Sequence, residues 1–413
     1  MLDLRMLRYA DWRLLLAALL LIIFSFFLIF SATSALHIRA GGDSFAMVKK
    51  QFISAIVAFA IFSLFLYLDY DRWRRYAWVI YGGVLLLLLL VLFKGNVAQG
   101  AQRWLALGPL SFQPSELAKL GLIIALARFL EGRQGQIQTV MDVVPVALFL
   151  LPPFALVFLQ PDLGTALVLI LVTGGMLLWA GIPPILLLGL MTPLFSVIAS
   201  FSIWIWLLYL VLLGTAVFLL RPTLPEQIFT MVVNILTGLA SPRVWHVLKP
   251  YQRDRILTFL NPEHNPLGAG YHIYQSKIAV GAGGILGRGF LQGTQTQLQF
   301  IPEQWTDFIF SVVAEEWGLI GSLIVLGLFF VILLRILQVA SNARESFGGL
   351  LAFGLGSWIA AHLFMNVAMV IGLAPVVGVP LPFISYGGTA LLTGCMALGI
   401  LGSVAMRGHK LLF

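Results

Sequence analysis

The chain has 413 residues, of which 60% are hydrophobic and 10% charged, with a net charge of +8. A soluble domain carries about 25% charged residues, so a soluble globular protein and a disordered one are both excluded. The positive excess is the kind that cytoplasmic loops present to anionic lipid, and it is not read as nucleic-acid binding.

At about 20 apolar residues per crossing, this composition sets a ceiling of roughly twelve spans. Strands of a membrane β-barrel would alternate apolar and polar residues, whereas the apolar runs here are continuous. The expected fold class is therefore all-α, a polytopic bundle of membrane helices whose backbone groups are satisfied within each helix. Arg5, Arg8 and Arg13 precede an uncharged stretch from Leu14 to Phe30. That stretch is longer than a typical signal-peptide core, so it is read as the first span, with the N-terminus inside. Nine further core segments follow, giving ten: Leu14–Thr33, Phe52–Leu68, Tyr76–Phe93, Leu117–Leu130, Val143–Leu159, Leu163–Ala180, Ile185–Ala199, Phe308–Leu334, Gly348–Val370 and Thr389–Val404. Between the seventh and eighth lie two more apolar runs, Ile203–Leu220 and Ile228–Leu239, read as an inserted hairpin. An even insertion leaves the sidedness of everything downstream unchanged.

The basic residues agree with that sidedness. Predicted inner loops hold Arg72, Arg74, Arg75, Arg128, Arg133, Arg335, Arg344, Arg407 and Lys410, while Arg39, Lys49 and Lys50 fall outside and weaken the pattern without reversing it. Both termini are expected inside. The longest hydrophilic stretch, about residues 245–306, is expected outside. It is too rich in apolar residues for disorder, so it predicts short amphipathic helices on the outer surface. The whole chain, 1–413, reads as a single integral membrane domain. The lone Cys395 cannot form an intrachain disulfide, and no Cys/His spacing suggests zinc.

Polar residues concentrate where the fourth, sixth, eighth and tenth segments begin. The openings are Gln113-Pro-Ser-Glu116, Gln160-Pro-Asp162-Leu-Gly-Thr165, Pro302-Glu-Gln-Trp-Thr-Asp307 and Pro380 through Thr389. Four helix N-termini pointing one way would suit an anion such as a phosphate or pyrophosphate. Each opening taken alone is more readily a set of helix caps than a catalytic site. Capping does not explain Lys119, because a cation in the first turn opposes the helix dipole and is costly in a membrane segment. Glu116 lies three residues before it, on the same face, and can pair with it. The long loop supplies further cations, Lys249, Arg253, Arg255, Lys277 and Arg288, and the run Gly281-Ala-Gly-Gly-Ile-Leu-Gly-Arg-Gly289. The glycine spacing matches neither a dinucleotide fingerprint nor a P-loop, and it suits close approach to a helix or headgroup, or turns. His362 and Asn366 are expected to make an interhelical hydrogen bond, although their spacing would also let them line a cavity. Of Glu315 and Glu316, at least one should face protein, with a basic partner to satisfy it.

The runs Pro302–Phe310 and Ala314-Glu-Glu-Trp-Gly318 resemble the signature of the SEDS family (shape, elongation, division and sporulation). So do Arg255-Ile-Leu257, Asn261-Pro262 and Pro266-Leu-Gly-Ala-Gly-Tyr-His-Ile-Tyr-Gln-Ser-Lys-Ile-Ala279. The similarity covers nearly the whole chain and is nearest the elongation branch. It departs in one place, the hairpin at about 203–239, which lengthens the family's usual link. The resemblance implies an inverting peptidoglycan glycosyltransferase that joins lipid II into β-1,4-linked strands at the outer face of the bacterial cytoplasmic (inner) membrane and releases undecaprenyl pyrophosphate. It implies Asp307 as the general base, with Glu116 and Lys119 as further catalytic residues. Arg255, Lys277, Gln275, Ser385, Thr306 and Asp162 are the expected substrate-binding set. Membrane lipids surround the bundle, and a class B penicillin-binding protein is the expected partner, because the family has no transpeptidase chemistry of its own. No metal ligand is assigned, although a divalent cation, Mg²⁺ or Mn²⁺, is a further candidate for stabilising the pyrophosphate. Two rivals remain: a flippase for the same lipid-linked precursor, and a non-catalytic scaffold for the penicillin-binding protein.

Overall fold

The computed structural model describes residues 8–39, 41–98, 101–107, 110–220, 223–247, 250–260 and 269–408. The first seven predicted segments are the helices α1 (Trp12–Arg39), α2 (Ala46–Tyr67), α3 (Tyr70–Lys94), α4 (Pro114–Leu130), α5 (Val140–Leu159), α6 (Leu163–Trp179) and α7 (Pro184–Ala199). The inserted hairpin is α8 (Ile203–Leu220) and α9 (Leu224–Val247), and the outer loop holds α10 (Pro250–Leu260), α11 (Ala269–Gly283) and α12 (Thr294–Leu298). The last three predicted segments are α13 (Ile309–Ser341), α14 (Ser346–Val370) and α15 (Gly388–Gly408). Eight of the described helices are long and apolar enough to cross a membrane: α1, α2, α3, α5, α8, α13, α14 and α15. The chain is a multi-pass membrane protein.

The bundle is not uniform in cross-section. In α4 all but three residues are buried, because α3, α14, α6, α5 and α15 pack around it. By contrast α8 turns almost its whole surface outward, as a lipid-facing helix does. It holds to α7 and α9 through polar contacts: Trp206 Nε1 donates to Ser196 Oγ (2.9 Å) and Tyr209 OH to Asn234 Oδ1 (2.9 Å), while α9 is tied to α7 by Asn234 Nδ2 donating to Thr192 Oγ1 (2.9 Å). Interhelical hydrogen bonds are the natural adhesive where lipid removes the hydrophobic drive between helices.

Two details refine the sequence expectations. A small three-stranded antiparallel sheet joins the helical bundle, formed by β1 (Asn96–Ala98), β2 (Ala101–Leu107) and β3 (Leu110–Phe112), with Asn96 opposite Trp104 and Leu105 opposite Phe112. Gly100 and Gly108-Pro109 punctuate this connection at strand-length intervals, and a segment at the end of the bundle can pair its backbone between strands. The second arm of the hairpin also runs to Val247, well past Leu239, so the outer loop proper begins later than residue 245. Lys249 and the stretch Asn261–Gly268 lie outside the described residues.

Ion pairs cluster at the end away from the N-termini of α4, α13 and α15. Arg74 pairs with Glu131 (2.7 Å), Glu345 (3.2 Å) and Asp71 (3.4 Å), Arg128 joins Glu131 (2.8 Å), and Arg335 pairs with Asp11 (2.7 Å). Of the basic residues assigned inside, Arg74, Arg128, Arg335 and Arg407 meet carboxylates there.

Close helix contact depends on small residues, and α15 packs along α2 in this way. A side chain added at Gly399 would put Cβ 2.6 Å from Phe65 Cβ and 2.8 Å from the Phe62 carbonyl oxygen. Gly399→Val should therefore cost about 1–3 kcal/mol through overpacking, read as a lower midpoint of thermal unfolding in detergent.

Candidate functional site

The four polar openings converge. One cavity of about 770 Å³ is lined by Gln113 and Glu116 of the α4 opening, Asp162 and Thr165 of α6, Pro302, Glu303, Thr306 and Asp307 before α13, and Tyr386, Gly387 and Ala390 at α15. The outer loop contributes Asp254, Arg255 and His272, the sheet contributes Arg103 and Trp104, and α14 with the segment after it contributes His362 and residues 376–380. Helix N-termini place unpaired N–H groups and partial positive charge around this space. The site is thus both acidic and basic, and open to a ligand with phosphate groups.

Asp307 stands in the turn that enters α13, and its backbone is held from one side. Three successive carbonyls are each taken by a donor: Trp305 O by Tyr386 N (2.9 Å), Thr306 O by Ser385 Oγ (2.6 Å), and Asp307 O by Asn366 Nδ2 (2.7 Å). Asn366 Nδ2 also donates to Val379 O (2.8 Å), tying the turn to the segment containing Gly378. Gly378 has φ +70°, and a Cβ there would lie 3.1 Å from Asp307 Oδ2 and 3.8 Å from Arg255 Nη1. The carboxylate and the guanidinium therefore share the bare face of one glycine. Burial pushes the Asp307 carboxyl up to about 6, with Arg255 opposing the rise and Glu303 and Asp162 adding to it. His272 stacks on Phe308 with centroids 6.1 Å apart. Burial and then the charge of Arg255 hold its imidazole below the usual range.

Beneath one wall lies a buried cation. Lys119 is fully buried and is not among the lining residues. Its Nζ donates to Glu116 Oε1 (2.7 Å), meets His362 Nε2 (3.0 Å) and stands 5.4 Å from the centre of the Trp358 ring. His362 Nδ1 lies 2.9 Å from Pro380 O. A carbonyl can only accept, so Nδ1 carries the hydrogen and Nε2 accepts from the lysine. The three ammonium hydrogens are thereby assigned to a carboxylate, an imidazole and a ring face. Lys119 acts through Glu116 and His362, both of which do line the cavity. Glu116 Oε2 is buried and has no hydrogen-bond partner in the protein.

The structure sorts the sequence candidates. Asp307, Glu116, Arg255, Thr306 and Asp162 line one cavity. Asp162 is also the cap of α6, accepting from Thr165 N (3.2 Å) and Thr165 Oγ1 (3.0 Å). Ser385 is a staple, donating to Thr306 O and accepting from Leu381 N (2.8 Å). Lys277 and Gln275 do not line the cavity. At 3.6 residues per turn Lys277 lies roughly 140° around α11 from His272 and Gln275 roughly 60°, and Lys277 is exposed. Glu315 and Glu316 are both buried, and neither has a basic partner within salt-bridge distance among the described residues. Hydroxyl and N–H donors satisfy Glu315 instead. His362 makes the interhelical bond expected of it, to Lys119 of α4, and lines the cavity as well, whereas Asn366 donates to the turn before α13 and to the segment after α14. Arg103, Asp254 and His272 escaped the sequence reading. Only the position of His272 within a recognised motif could have suggested it.

Among the described residues no group of three or more His, Cys, Asp or Glu side chains could hold a metal ion. The candidate divalent cation therefore has no protein cage among the described residues.

The FtsW/RodA/SpoVE family model, described as cell cycle protein, matches residues 11–410. The chain is 37% identical over 407 residues to the peptidoglycan glycosyltransferase MrdB of Escherichia coli K12, covering 96% of this chain and 93% of that protein. Among solved structures it resembles a chain of a peptidoglycan synthase complex solved for the coordination of polymerization and crosslinking (TM-score 0.70, 30% identity, 97% of this chain and 99% of that one). It also resembles the rod shape determining protein RodA of Thermus thermophilus (TM-score 0.63, 27% identity, 97% and 98% covered).

The buried pair makes a prediction that separates support from contact. Lys119→Met strands Glu116 without its cation and should cost about 3–5 kcal/mol. Adding Glu116→Gln should restore most of that loss, because both charges are then gone. Thermal unfolding of the single and double variants in detergent reads the difference.

Proposed function

The chain belongs to the FtsW/RodA/SpoVE family, the SEDS family, and from that premise we infer how its cavity carries out glycosyl transfer. It is a peptidoglycan glycosyltransferase of cell elongation, an enzyme of the bacterial cell wall. Lipid II is the proposed donor and acceptor, entering from the outer face of the inner membrane, with both termini of the chain in the cytoplasm.

The observation that carries the mechanism is Asp307. It is a carboxylate with a proton affinity raised into the working range, on a backbone pinned at three carbonyls, in a cavity it shares with two arginines. A general base works best with a pKa near the operating pH. In the proposed step Asp307 takes the proton from the acceptor sugar hydroxyl. The freed oxygen bonds to the donor's anomeric carbon from the face opposite the leaving group. The bond from that carbon to the pyrophosphate oxygen breaks, and its electron pair leaves with the lipid pyrophosphate. Displacement from one side inverts an α-linked donor to a β-linked product without a covalent enzyme intermediate. Arg255, Arg103 and the surrounding helix N-termini offset the charge that builds on the leaving group. Lys119 has no free donor for that task, and its proposed part is to hold Glu116 and His362 in the wall.

A class B penicillin-binding protein is the proposed partner. The likeness to a chain of a synthase complex that coordinates polymerization with crosslinking supports this. A flippase would need its polar groups near the middle of the membrane, whereas here they gather where four helices begin.

Two outcomes test the base. Asp307→Asn is nearly isosteric and should lower polymerisation of lipid II by purified protein roughly 10²–10⁴-fold. Near-normal product would remove Asp307 from the role. The wild-type rate should also fall tenfold per pH unit below about 6, where the carboxyl takes up its proton, and level off above. The sign for stability is opposite to that of a salt-bridged carboxylate. A pKa raised from 3.8 makes ionisation costly to the fold, a cost incurred as pH climbs from about 4 to about 6. Asp307→Asn should therefore unfold at no lower a temperature than wild type at pH 7.

A further inference from the structure

Helix α13 carries Asp307 at its entrance and is broken two turns later. Gly318 has φ 64° and ψ −159°, a conformation open essentially to glycine alone. An unbroken helix would bond Leu319 N to Glu315 O and Ile320 N to Glu316 O. Here all four groups turn to the glycine-rich run of the outer loop. Leu319 N donates to Gly284 O (2.9 Å) and Ile320 N to Ile285 O (3.2 Å), while Glu315 O accepts from Arg288 N (2.9 Å) and Glu316 O from Gly289 N (3.0 Å). Two helical hydrogen bonds are opened and four are made across the gap. Irregular backbone in a membrane helix is tolerated only where protein supplies such partners.

Two side chains just before the break lock it. The Glu315 carboxylate takes four donors from the next turn of the loop: Gln295 N (2.7 Å), Thr296 N (2.9 Å), Thr296 Oγ1 (2.7 Å) and Thr294 Oγ1 (3.2 Å). Glu316 Oε1 accepts from Ser31 Oγ of α1. The glycines are placed for contact. A Cβ at Gly283 would lie 1.8 Å from Ala314 O, and one at Gly287 would lie 2.2 Å from Glu316 O, whereas one at Gly281 would meet nothing within 4 Å.

The other end of α11 lies at the cavity, where His272 stacks on Phe308, next to Asp307. Between the two ends Ser276 Oγ donates to Val370 O of α14 (2.8 Å). We infer that the 283–289 run is spliced into the break of α13 so that α11 is fixed to the catalytic helix at both ends. In this arrangement Glu315 is a positioning residue that holds His272 and the outer loop in register with Asp307. The inference rests on the proposed role of Asp307 and extends it to a part of the chain that touches no reacting atom.

The test compares Gly281→Ala, Gly283→Ala and Glu315→Gln in the full chain. It reads lipid II polymerisation across pH and amide hydrogen exchange over residues 317–321. Gly281→Ala should match wild type in both. Gly283→Ala and Glu315→Gln should each lower turnover tenfold or more, move the acidic limb away from about pH 6 and speed exchange at Leu319 and Ile320, with helix content by circular dichroism retained. If Gly283→Ala does not accumulate in membranes, Glu315→Gln decides by the same readings. Wild-type turnover and pH limb in these variants, or unchanged exchange at Leu319 and Ile320, would overturn the inference. Exchange does not depend on which group is the base. Failure of the base assignment would appear separately, as an active Asp307→Asn.

Discussion

Everything at this site hangs on how a short, non-helical turn is held at the mouth of a membrane helix. The carbonyls of Trp305, Thr306 and Asp307 face a wall of donors from residues 366–386, and each is taken. A buried carbonyl left unpaired costs free energy comparable to a lost hydrogen bond, so the turn has one favourable seat. Its reactive side chain then emerges beside Gly378, where a larger residue would press on the carboxylate. The donors come from the end of α14 and the approach to α15, far from Asp307 in sequence, so the base is fixed by tertiary contacts and not by its own helix.

Charge is handled differently in the two halves of the cavity. Around Asp307 it is left partly unbalanced, because burial outweighs the nearby arginine and keeps the carboxyl ready to exchange a proton near neutrality. Around Glu116 it is balanced closely: the ammonium of Lys119 is distributed over a carboxylate, an imidazole and an indole face. Removing one member of such a cluster leaves a buried charge without compensation, which is the costly case. Lys119 thus lies behind the wall of the cavity and not on its surface. The arginines that do reach the cavity come from a surface sheet and an outer-loop helix.

The outer loop is part of the same construction. Its glycines bring backbone against the break in α13, its Thr294–Leu298 turn rests on the Glu315 carboxylate, and its first long helix presents His272 to Phe308. The α7–α9 group is built by another rule, with polar side chains inside and lipid-facing apolar residues outside. One insertion enlarges the membrane body, while the other long segment serves the chemistry.

The amino-acid sequence by itself determined the membrane class, the ten core helices and the four polar openings. Those features depend on composition and on short-range rules of helix length and capping, which a single strand of text carries. It also singled out Asp307, Glu116 and Arg255 through motif resemblance. It did not show that Lys277 and Gln275 stand off the cavity lining, because a residue's side of an amphipathic helix depends on what that helix lies against. It gave Glu315 and Glu316 the wrong kind of partner, because their donors are backbone N–H groups and hydroxyls that carry no mark in the sequence. Arg103 was invisible for the same reason, since only the pairing of three short strands brings it to the cavity. What the tertiary structure alone decided was which groups face one another across the bundle. That is set by packing between segments far apart in the chain, such as Ser31 and Glu316, 285 residues apart, and no local pattern encodes it.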